Sequence, residues 1–326
     1  MPDVQVKKIV YLFGAGATHA ELQDLVPDLE QKQLGLLVRD VSSRVIERAR
    51  SEYKYRKGVE TVSGTSGKLN IELLISLIES SKVHDWDYKT RRLKTLVQED
   101  IERILTPSRT RRFYLHKALL DLHKHEQTTV KEQLIGLISL NYDSVLDEAY
   151  EELYGPPDYC FSQRKDDSPP QLPLLKLHGS FNWRRQRIRD KWRRIDIIPL
   201  GSAKSYLHAP YGFIWNRALE ILIECDTLRV IGCSLSPNDA HLIDLLFKAH
   251  LWRDIEFEIE IISSTLDGEA IRRNFGFFPR IKTLVDVEGS IADVNPPNPF
   301  KTWLKRKSER MLGESTVRAT RRLRKL

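Results

Sequence analysis

The chain has 326 residues, 41% of them hydrophobic, and a formal net charge of +7. This length is enough for one large domain or two ordinary ones, and the composition is normal for a globular protein with a sizeable core. The absence of any run of about 18 apolar residues argues against a membrane-spanning helix, and the short apolar run 9–13 is not typical of a signal peptide. Three well-separated cysteines favour neither a disulfide framework nor a zinc ribbon and predict a protein of the reducing cytoplasm: Cys160, Cys225 and Cys233.

The positive charge is concentrated in residues 184–194 and in the C-terminal residues 301–326. One interpretation is contact with nucleic acid or with an acidic partner. The other is a solvated hairpin followed by a terminal helix. We favour the second interpretation because no recognisable nucleic-acid-binding module accompanies the charge, and nucleic acid stays an alternative partner.

The first part of the chain predicts one strand followed by helices. Residues 7–13 (KKIVYLF) are typical of a buried strand, which a glycine turn joins to a helix beginning near Thr18. After a polar loop, Asn70 is a good N-cap for the sequence IELLISLIES. Further helices are predicted at 34–50, 91–105 and 112–123. Residues 35–125 therefore predict a helical insertion carried on a sheet protein.

Strands and helices alternate in the rest of the chain. Strands are predicted at 134–140, 174–177, 228–231 and 255–262, and helices at 143–154, 213–225 and 238–250. This alternation predicts an α/β fold with a Rossmann-like, mainly parallel sheet and helices on both faces. We divide the chain into a Rossmann-like catalytic domain of residues 1–34 and 126–290, the helical insertion 35–125, and a basic C-terminal tail 291–326.

Four short blocks of polar or glycine-rich sequence follow strands of this sheet. They are FGAGAT at 13–18, SLNYD at 139–143, LKLHGSFNW at 175–183 and VIGCSLSPND at 230–239. Ligands of open α/β sheets bind outside the carboxyl ends of the strands, so we expect residues of these blocks to share one site.

Each block has a functional and a plain structural interpretation. The glycines of FGAGAT leave backbone N–H groups free to hold a pyrophosphate, or they form a tight turn without a ligand. Asn141 and Asp143 either reach a polar ligand or cap the strand and the next helix. His178 is either a general base near neutral pH or a buried histidine bonded to the backbone. The fourth block either presents backbone donors to a nucleotide or is an ordinary capped loop.

Taken together and in this order, the four blocks resemble the sirtuin superfamily over most of residues 5–290. The resemblance is nearer to the sirtuin-like (SIR2-like) NAD hydrolases of bacterial anti-phage defence than to the protein deacylases, and NIELLISLIE is similar to a helix that these proteins often carry. It implies that the NAD phosphates bind at a glycine loop formed by Gly14, Ala15, Gly16, Ala17 and Thr18. It implies that the adenosine side is contacted by Gly232, Cys233, Ser234 and Leu235, although Cys233 departs from the usual small hydroxyl residue.

The resemblance also implies the catalytic residues. Asn141 and Asp143 match the N-x-D motif of the family, in which the asparagine lies by the nicotinamide ribose and the aspartate near the carboxamide. His178 matches the catalytic histidine, which accepts a proton from water or from a ribose hydroxyl, and the glycine after it is Gly179.

Two departures from the deacylases shape the expected reaction. The interval 178–232 contains only Cys225 and not the two CxxC pairs of a zinc ribbon, and no proline- and arginine-containing loop follows GAG. The resemblance therefore implies hydrolysis of NAD to nicotinamide and ADP-ribose without a metal, with cyclisation of NAD left open.

The resemblance further implies regulation. Defence enzymes of this kind deplete NAD and are held inactive until assembly or a signal switches them on. We therefore expect a homo-oligomer and a separate partner protein such as a ring-forming ATPase. The basic tail is a candidate docking surface, and we expect its deletion to leave the fold intact.

Two other functions stay open. The chain is alternatively a regulatory module that binds NAD or ADP-ribose without turnover, or a nucleic-acid-associated subunit that uses its basic segments. The chain also contains a group of nearby histidines, His116, His123 and His125. Histidine is a common metal ligand, but we interpret this group as a charged helix end.

Overall fold

The computed structural model describes most of the chain. The described residues are 6–26, 35–51, 70–82, 84–109, 113–125, 131–162, 171–183, 185–188, 191–194, 197–198, 208–236, 239–253, 258–276, 278–284, 287–289 and 297–309. The predicted polar loop after residue 51 and the last part of the basic tail, 310–326, lie outside them. Every helix within the described residues is too short or too polar to span a bilayer.

A six-stranded parallel sheet organises the fold. Its strands are β1 (Lys7–Phe13), β2 (Glu132–Ser139), β3 (Leu174–Lys176), β6 (Thr227–Ile231), β7 (Glu258–Ile262) and β8 (Ile281–Thr283). They lie in the order β3-β2-β1-β6-β7-β8, and every neighbouring pair is parallel. From β1 the chain builds outward through β2 and β3, then returns to the other side of β1 and builds outward again. This is the strand order of a Rossmann fold, so the predicted fold class is confirmed.

The basic segment forms a separate hairpin. Strands β4 (Arg185–Ile188) and β5 (Lys191–Arg194) pair antiparallel outside the main sheet. This agrees with the hairpin that we predicted for residues 184–194.

Helices cover both faces of the sheet. They are α1 (Ala15–Leu25), α2 (Val38–Arg50), α3 (Ile71–Ser81), α4 (Trp86–Arg109), α5 (Leu115–His125), α6 (Val145–Tyr154), α7 (Tyr211–Glu224), α8 (Ala240–Leu251), α9 (Thr265–Asn274) and α10 (residues 299–309). Successive residues of a strand point to opposite faces. On β1, Tyr11 and Phe13 belong to a core with α1, α5, α6 and α10, whereas Val10 and Leu12 belong to a core with α7, α8 and α9.

Three of the helices form a layer of their own, which we call the helical layer. Helices α2, α3 and α4 pack around a third apolar core that also includes Leu22 of α1 and Val145 of α6. A partly buried ion pair joins two of them, with Nη2 of Arg44 2.7 Å from Oδ2 of Asp100. Helix α5, in contrast, packs against α6 and β2. The limits 35–125 of the insertion stay a prediction, as do the other domain limits.

The first residues of the basic tail belong to the core. In α10 the side chains of Phe300, Trp303 and Leu304 are buried in the same core as Tyr11 and Phe13. Deleting α10 would therefore uncover this face of the sheet. Our expectation that the whole tail can be removed without damage to the fold is wrong for residues 299–309, because their apolar side chains complete the core.

Several element ends differ from the predictions by a few residues. Helix α1 begins at Ala15, directly after Gly14, and not near Thr18. Asn70 caps α3 as predicted, since its Oδ1 accepts hydrogen bonds from the N–H groups of Glu72 (2.9 Å) and Leu73 (3.1 Å).

Candidate functional site

The four sequence blocks meet at the carboxyl edge of the sheet, around a cavity of about 440 Å³. Cavities of this size are typical of small-molecule sites. The blocks contribute Gly14, Ala15, Gly16, Asn141, Tyr142, Asp143, His178, Gly232, Cys233, Ser234, Leu235 and Asp239. The helical layer and the segment before it line another part of the wall, with Val41, Ile71, Glu72, Val97 and Ile101. Three predicted site residues, Ala17, Thr18 and Gly179, are not among the lining residues.

The two glycine loops pack backbone against backbone. The N–H of Gly14 donates to the carbonyl of Ile231, and the N–H of Gly16 donates to the carbonyl of Gly232, each at 2.9 Å. Gly232 has φ +62°, and a Cβ there would lie 2.1 Å from the nitrogen of Ala17. The glycines are therefore required by the contact between the loops. We expected free N–H groups at this loop, but that of Gly16 is already bonded within the protein.

Asn141 and Asp143 are joined to α1 through Thr18. Nδ2 of Asn141 donates to the carbonyl of Gly14 (3.1 Å) and to Oγ1 of Thr18 (3.0 Å), and Thr18 donates to Oδ2 of Asp143 (3.1 Å). Asp143 also accepts the N–H of Val145 at 3.0 Å, which is the capping role considered from the sequence. Because the carbonyl of Gly14 can only accept, the amide orientation of Asn141 is fixed, and its Oδ1 is directed away from these partners.

A buried lysine fixes this loop to the neighbouring strand. Lys176 is fully buried at the end of β3, and its Nζ donates to the carbonyl of Asp143 and to Oδ2 of Asp147, the latter at 2.7 Å. Strand β3 leads directly into His178. Lys176 thus holds the block at 139–143 and the block at 175–183 in a fixed relation to each other.

His178 is buried, and one of its ring nitrogens is bonded to a carboxylate. Nε2 lies 3.0 Å from Oδ2 of Asp239, whose Oδ1 caps α8 by accepting the N–H of Leu242 at 3.2 Å. A carboxylate only accepts, so Nε2 carries the proton and Nδ1 keeps a lone pair in the neutral ring. Nδ1 is buried without a hydrogen-bond partner in the described part of the chain.

Two carboxylates raise the proton affinity of this histidine. Burial by itself lowers the pKa of His178, but Asp239 and then Glu72 outweigh it and raise that pKa above its ordinary value of 6.5. The histidine therefore titrates above 6.5, which suits a group that accepts a proton during a reaction near neutral pH.

Glu72 reaches the cavity from the helical layer. Its side chain is buried on the first turn of α3, and Oε1 accepts a hydrogen bond from the hydroxyl of Tyr142 at 2.7 Å. The other oxygen, Oε2, is buried and has no partner among the described residues. Burial raises the pKa of the Glu72 carboxyl above its ordinary value.

The charges around the cavity are mainly acidic. Arg39 is the one lysine or arginine among the described residues that line it, and its largely exposed side chain pairs with Asp40 at 3.0 Å. The acidic lining residues are Glu72, Asp143, Asp239 and Asp267. This distribution favours a ligand with a cationic group near the carboxylates and an anionic group near Arg39.

The cavity extends past β7 into a polar region. Nδ2 of Asn274 donates to the carbonyl of Ser234 at 2.8 Å, and Oγ of Ser264 donates to Oδ2 of Asp267 at 2.7 Å. All of these residues line the cavity. The region presents hydroxyl, amide and carboxylate groups that suit a sugar or a base.

Cys233 is a packing residue. Burial raises the pKa of its thiol to about 12, and its Sγ accepts the N–H of Leu235 at 3.4 Å. A thiol with so high a pKa is not a nucleophile at neutral pH. The departure of this position from the family pattern therefore adds no reactive group to the cavity.

Two of the three histidines near residue 120 lie in the core and not at a charged helix end. His116 is buried, with Nδ1 2.8 Å from Oε1 of Glu21, and His123 is buried, with Nε2 2.8 Å from the hydroxyl of Tyr11. Their place in the core corrects our interpretation, because α5 packs on the sheet. The side chain of His125 lies outside the described part. Within that part, no three His, Cys, Asp or Glu side chains converge on a metal-sized site.

One comparison bears on the family. Residues 136–250 match the sequence profile of the SIR2-like domain. This SIR2-like segment runs from β2 to α8 and contains Asn141, Asp143, His178, Gly232 and Asp239. None of the curated proteins matches the chain in sequence.

Several solved structures of Sir2 proteins align with the chain at low similarity. A mutant Sir2 homologue in complex with 2'-O-acetyl ADP-ribose has 12% identity, covers 94% of each chain and has a TM-score of 0.41. Sir2 with a p53 peptide and NAD+ has 14% identity, covers 93% of this chain and 92% of its own, and has a TM-score of 0.40. Scores of this size do not establish a shared fold, so the fold assignment rests on the strand order.

The sequence did not identify Asp239 and Glu72 as residues of the site. Asp239 was expected only to begin a helix, and its contact with His178 joins positions 61 residues apart. Glu72 lies in a helix far from the four blocks. The only sequence signal for it is the similarity of NIELLISLIE to a helix of the resembled family.

Proposed function

We propose that the chain binds NAD in this cavity and hydrolyses the bond between nicotinamide and ribose. One observation carries the proposal. Asn141, Asp143 and His178 belong to a segment that matches the SIR2-like domain, and they line one cavity in which Nδ1 of His178 is buried without a partner. A ligand in the cavity can donate a hydrogen bond to this nitrogen, and such a bond would relieve the cost of a buried polar atom without a partner.

The charges of the cavity suit the parts of NAD. The cationic nicotinamide ring would lie near Asp143, next to the His178–Asp239 pair. The pyrophosphate would lie near Arg39 and the start of α1, where the helix dipole favours an anion. The adenosine would reach the polar region around Asn274.

The reaction would pass through an oxocarbenium-like transition state, as glycoside cleavage generally does. The electron pair of the broken bond goes to nicotinamide, whose ring becomes neutral as it leaves. A water oxygen bonds to the ribose carbon, and Nδ1 of His178 accepts a proton from that water. Asp239 would stabilise the imidazolium that forms, and Asn141 would hold a ribose hydroxyl through Oδ1. No step requires a metal.

The test is nicotinamide release under single-turnover conditions, with purified protein in excess over NAD. We expect release by the wild type and at least about a 100-fold slower rate in both His178→Ala and Asn141→Ala. The first variant removes the proton acceptor, and the second removes the amide that would hold the ribose hydroxyl. His84→Ala is the matched control, because His84 is highly exposed and paired only with Asp85 in the described structure.

The outcomes separate the proposal from its main alternative. If the folded wild type binds NAD with a defined stoichiometry but releases no nicotinamide in any assembly state, the chain is a binding module. If both variants release nicotinamide at the wild-type rate, the cavity is not the reaction site.

We also infer an NAD-depleting role in defence against phage, with control by assembly or by a partner protein. The support is the resemblance to the defence NAD hydrolases. Expression of the wild type should lower cellular NAD once the chain is activated, and expression of His178→Ala should not. Equal NAD levels with both proteins during phage infection would count against this role.

A further inference from the structure

Seven buried side-chain nitrogen or oxygen atoms lack a hydrogen-bond partner among the described residues, and three of them, on Gln23, Glu72 and His178, belong to residues that line the cavity. Among the described residues they include Oε2 of Glu72 and Nδ1 of His178, and both residues line the same cavity. The Tyr142 hydroxyl contacts both Oε1 of Glu72 and the carbonyl of Ile198. The N–H of Ile198 in turn donates to the carbonyl of His178 at 2.7 Å, so a short chain of contacts joins Glu72 to His178. The reaction proposed above uses His178 but assigns no role to Glu72.

The hydrogen bonds of Tyr142 account for only one oxygen of Glu72. The Tyr142 hydroxyl lies 2.7 Å from Oε1 of Glu72 and 3.2 Å from the carbonyl of Ile198. A hydroxyl has one proton, so it satisfies both acceptors only if Glu72 is protonated and donates to the tyrosine. If Glu72 is ionised, or is protonated at Oε1, then Oε2 is left as an acceptor, and a purely structural contact with Tyr142 would not require it.

The two unpartnered hydrogen-bond acceptors in the cavity, Nδ1 of His178 and Oε2 of Glu72, suit a ligand that has two hydrogen-bond donors. Nε2 of neutral His178 donates to Asp239, so Nδ1 is an acceptor, as is Oε2 of Glu72. A ribose hydroxyl has a single proton to donate, whereas a water molecule has two. A water held by both atoms would have its remaining lone pairs free to attack carbon.

We propose that Glu72 is a further catalytic residue, whose Oε2 holds, together with Nδ1 of His178, the water that accepts the ribose. This inference rests on the proposed hydrolysis of NAD. In the step, the water oxygen bonds to the ribose carbon and the carbon–nitrogen electron pair leaves with nicotinamide. One water proton passes to His178, which later releases it to solvent, and the other stays on the new hydroxyl of ADP-ribose. Glu72 orients the water and exchanges no proton with it.

Glu72→Leu and Glu72→Gln test the proposal. Leucine removes the acceptor, and Tyr142 keeps the carbonyl of Ile198 as its partner, so the fold is expected to remain. We expect kcat for hydrolysis to fall about 100-fold in Glu72→Leu, because the water loses its orientation, with KM for NAD nearly unchanged. Glutamine presents an amide oxygen in place of Oε2 and should be at least about tenfold more active than leucine.

Methanol provides a readout that a structural role would not change. Methanol competes with water for the ribose carbon but has one donor in place of two. Loss of the second acceptor should therefore raise the ratio of methyl-ADP-ribose to ADP-ribose in Glu72→Leu by about threefold to tenfold, the worth of one hydrogen bond.

Glu79→Leu is the matched control. Glu79 lies on the same helix and pairs with Lys94 at 3.1 Å, outside the cavity lining. Its kcat and its product ratio should stay at the wild-type values.

Each remaining outcome overturns the inference. An active wild type with unchanged kcat in Glu72→Leu, or a lower kcat with an unchanged product ratio, removes the role of Glu72 and leaves the proposed function standing. A wild type that releases no nicotinamide removes both.

Discussion

Two clusters of buried polar side chains lie on the same sheet, and they differ in how completely their charged atoms are paired. One is the cavity cluster just described, around His178, Asp239 and Glu72. The other, which we call the base cluster, lies under α10 around the guanidinium of Arg229. Arg229 donates to Glu132 at 2.6 and 2.8 Å and to Glu260 at 2.6 Å, and Lys307 donates to Glu132 at 2.7 Å.

The difference indicates what each cluster is for. In the base cluster the opposite charges satisfy each other within the protein, which is the arrangement of a structural site. In the cavity cluster, Oε2 of Glu72 and Nδ1 of His178 have no partner among the described residues. A perturbed, partly unsatisfied group in a cavity is typical of a ligand site. Disruption of the base cluster should therefore cost stability, and disruption of the cavity cluster should cost activity.

The largest effect is expected at the contact between the two glycine loops. Gly232→Ala places a Cβ 2.1 Å from the nitrogen of Ala17 in a residue with φ +62°, so both loops must move. We expect a loss of about 4 kcal/mol or more in the free energy of unfolding, together with loss of NAD binding. Denaturant unfolding and calorimetric titration measure the two.

Gly155→Ala is the control for this change. Gly155 also has a positive φ, +82°, but a Cβ there would meet nothing within 4 Å. It should cost only the backbone strain, about 1–3 kcal/mol, and leave NAD binding intact. If both variants lose the same free energy of unfolding, then Gly232 is required for its backbone conformation and not for the contact between the loops.

The next effect is expected in the base cluster. Arg229→Met leaves Glu132 and Glu260 without their main partner and should cost about 3 kcal/mol of stability. The rate of nicotinamide release per folded molecule should not change. Arg217→Met is the control, because Arg217 pairs with the exposed Glu220 at the surface and should cost less than about 1 kcal/mol.

The base cluster also predicts how stability depends on pH. Burial raises the pKa of Glu132, but the bonds from Arg229 and Lys307 outweigh it and lower that pKa from 4.5 to about 2. The resulting stabilisation is present above pH 4.5 and is lost as the pH falls toward 2. In Arg229→Met the loss on acidification should be smaller between these values, and an unchanged acid profile would contradict this assignment.

The smallest effect is expected at Asp239, where a substitution should raise the activation free energy of the reaction and leave the free energy of unfolding unchanged. Asparagine is also a good N-cap, so Asp239→Asn should leave α8 and the stability intact. Its amide group would donate to Nε2 of His178, which moves the ring proton to Nδ1 and removes the acceptor. Nicotinamide release should slow at least about 100-fold, equivalent to about 2.7 kcal/mol. If Asp239→Asn is strongly destabilised but releases nicotinamide at the normal rate, then the cavity cluster has the structural role that we assign to the base cluster.

The sequence predicted the parts of the site that follow strands in regular order. Blocks at the ends of β1, β2, β3 and β6 must meet because parallel strands place their carboxyl ends at one edge. It did not predict the contact of Glu72 with Tyr142 or that of His178 with Asp239, since these depend on how a helical layer and a helix start pack on the sheet. The packing of α10 was missed for the same reason. Its many basic residues led us to assign it to the tail, although its side chains Phe300 and Trp303 pack in the core.

The most direct test of the difference between the cavity cluster and the base cluster is the ¹H–¹⁵N spectrum of the histidine rings, recorded with and without saturating ADP-ribose. Nδ1 of His178 and a ring nitrogen of His123 are both unpartnered in the described structure, but only His178 lines the cavity. We predict that the ring nitrogens of His178, assigned with His178→Gln, shift on binding while those of His123 stay unchanged. Saturable binding that leaves the His178 signals unmoved would contradict the assignment of this cavity as the NAD site.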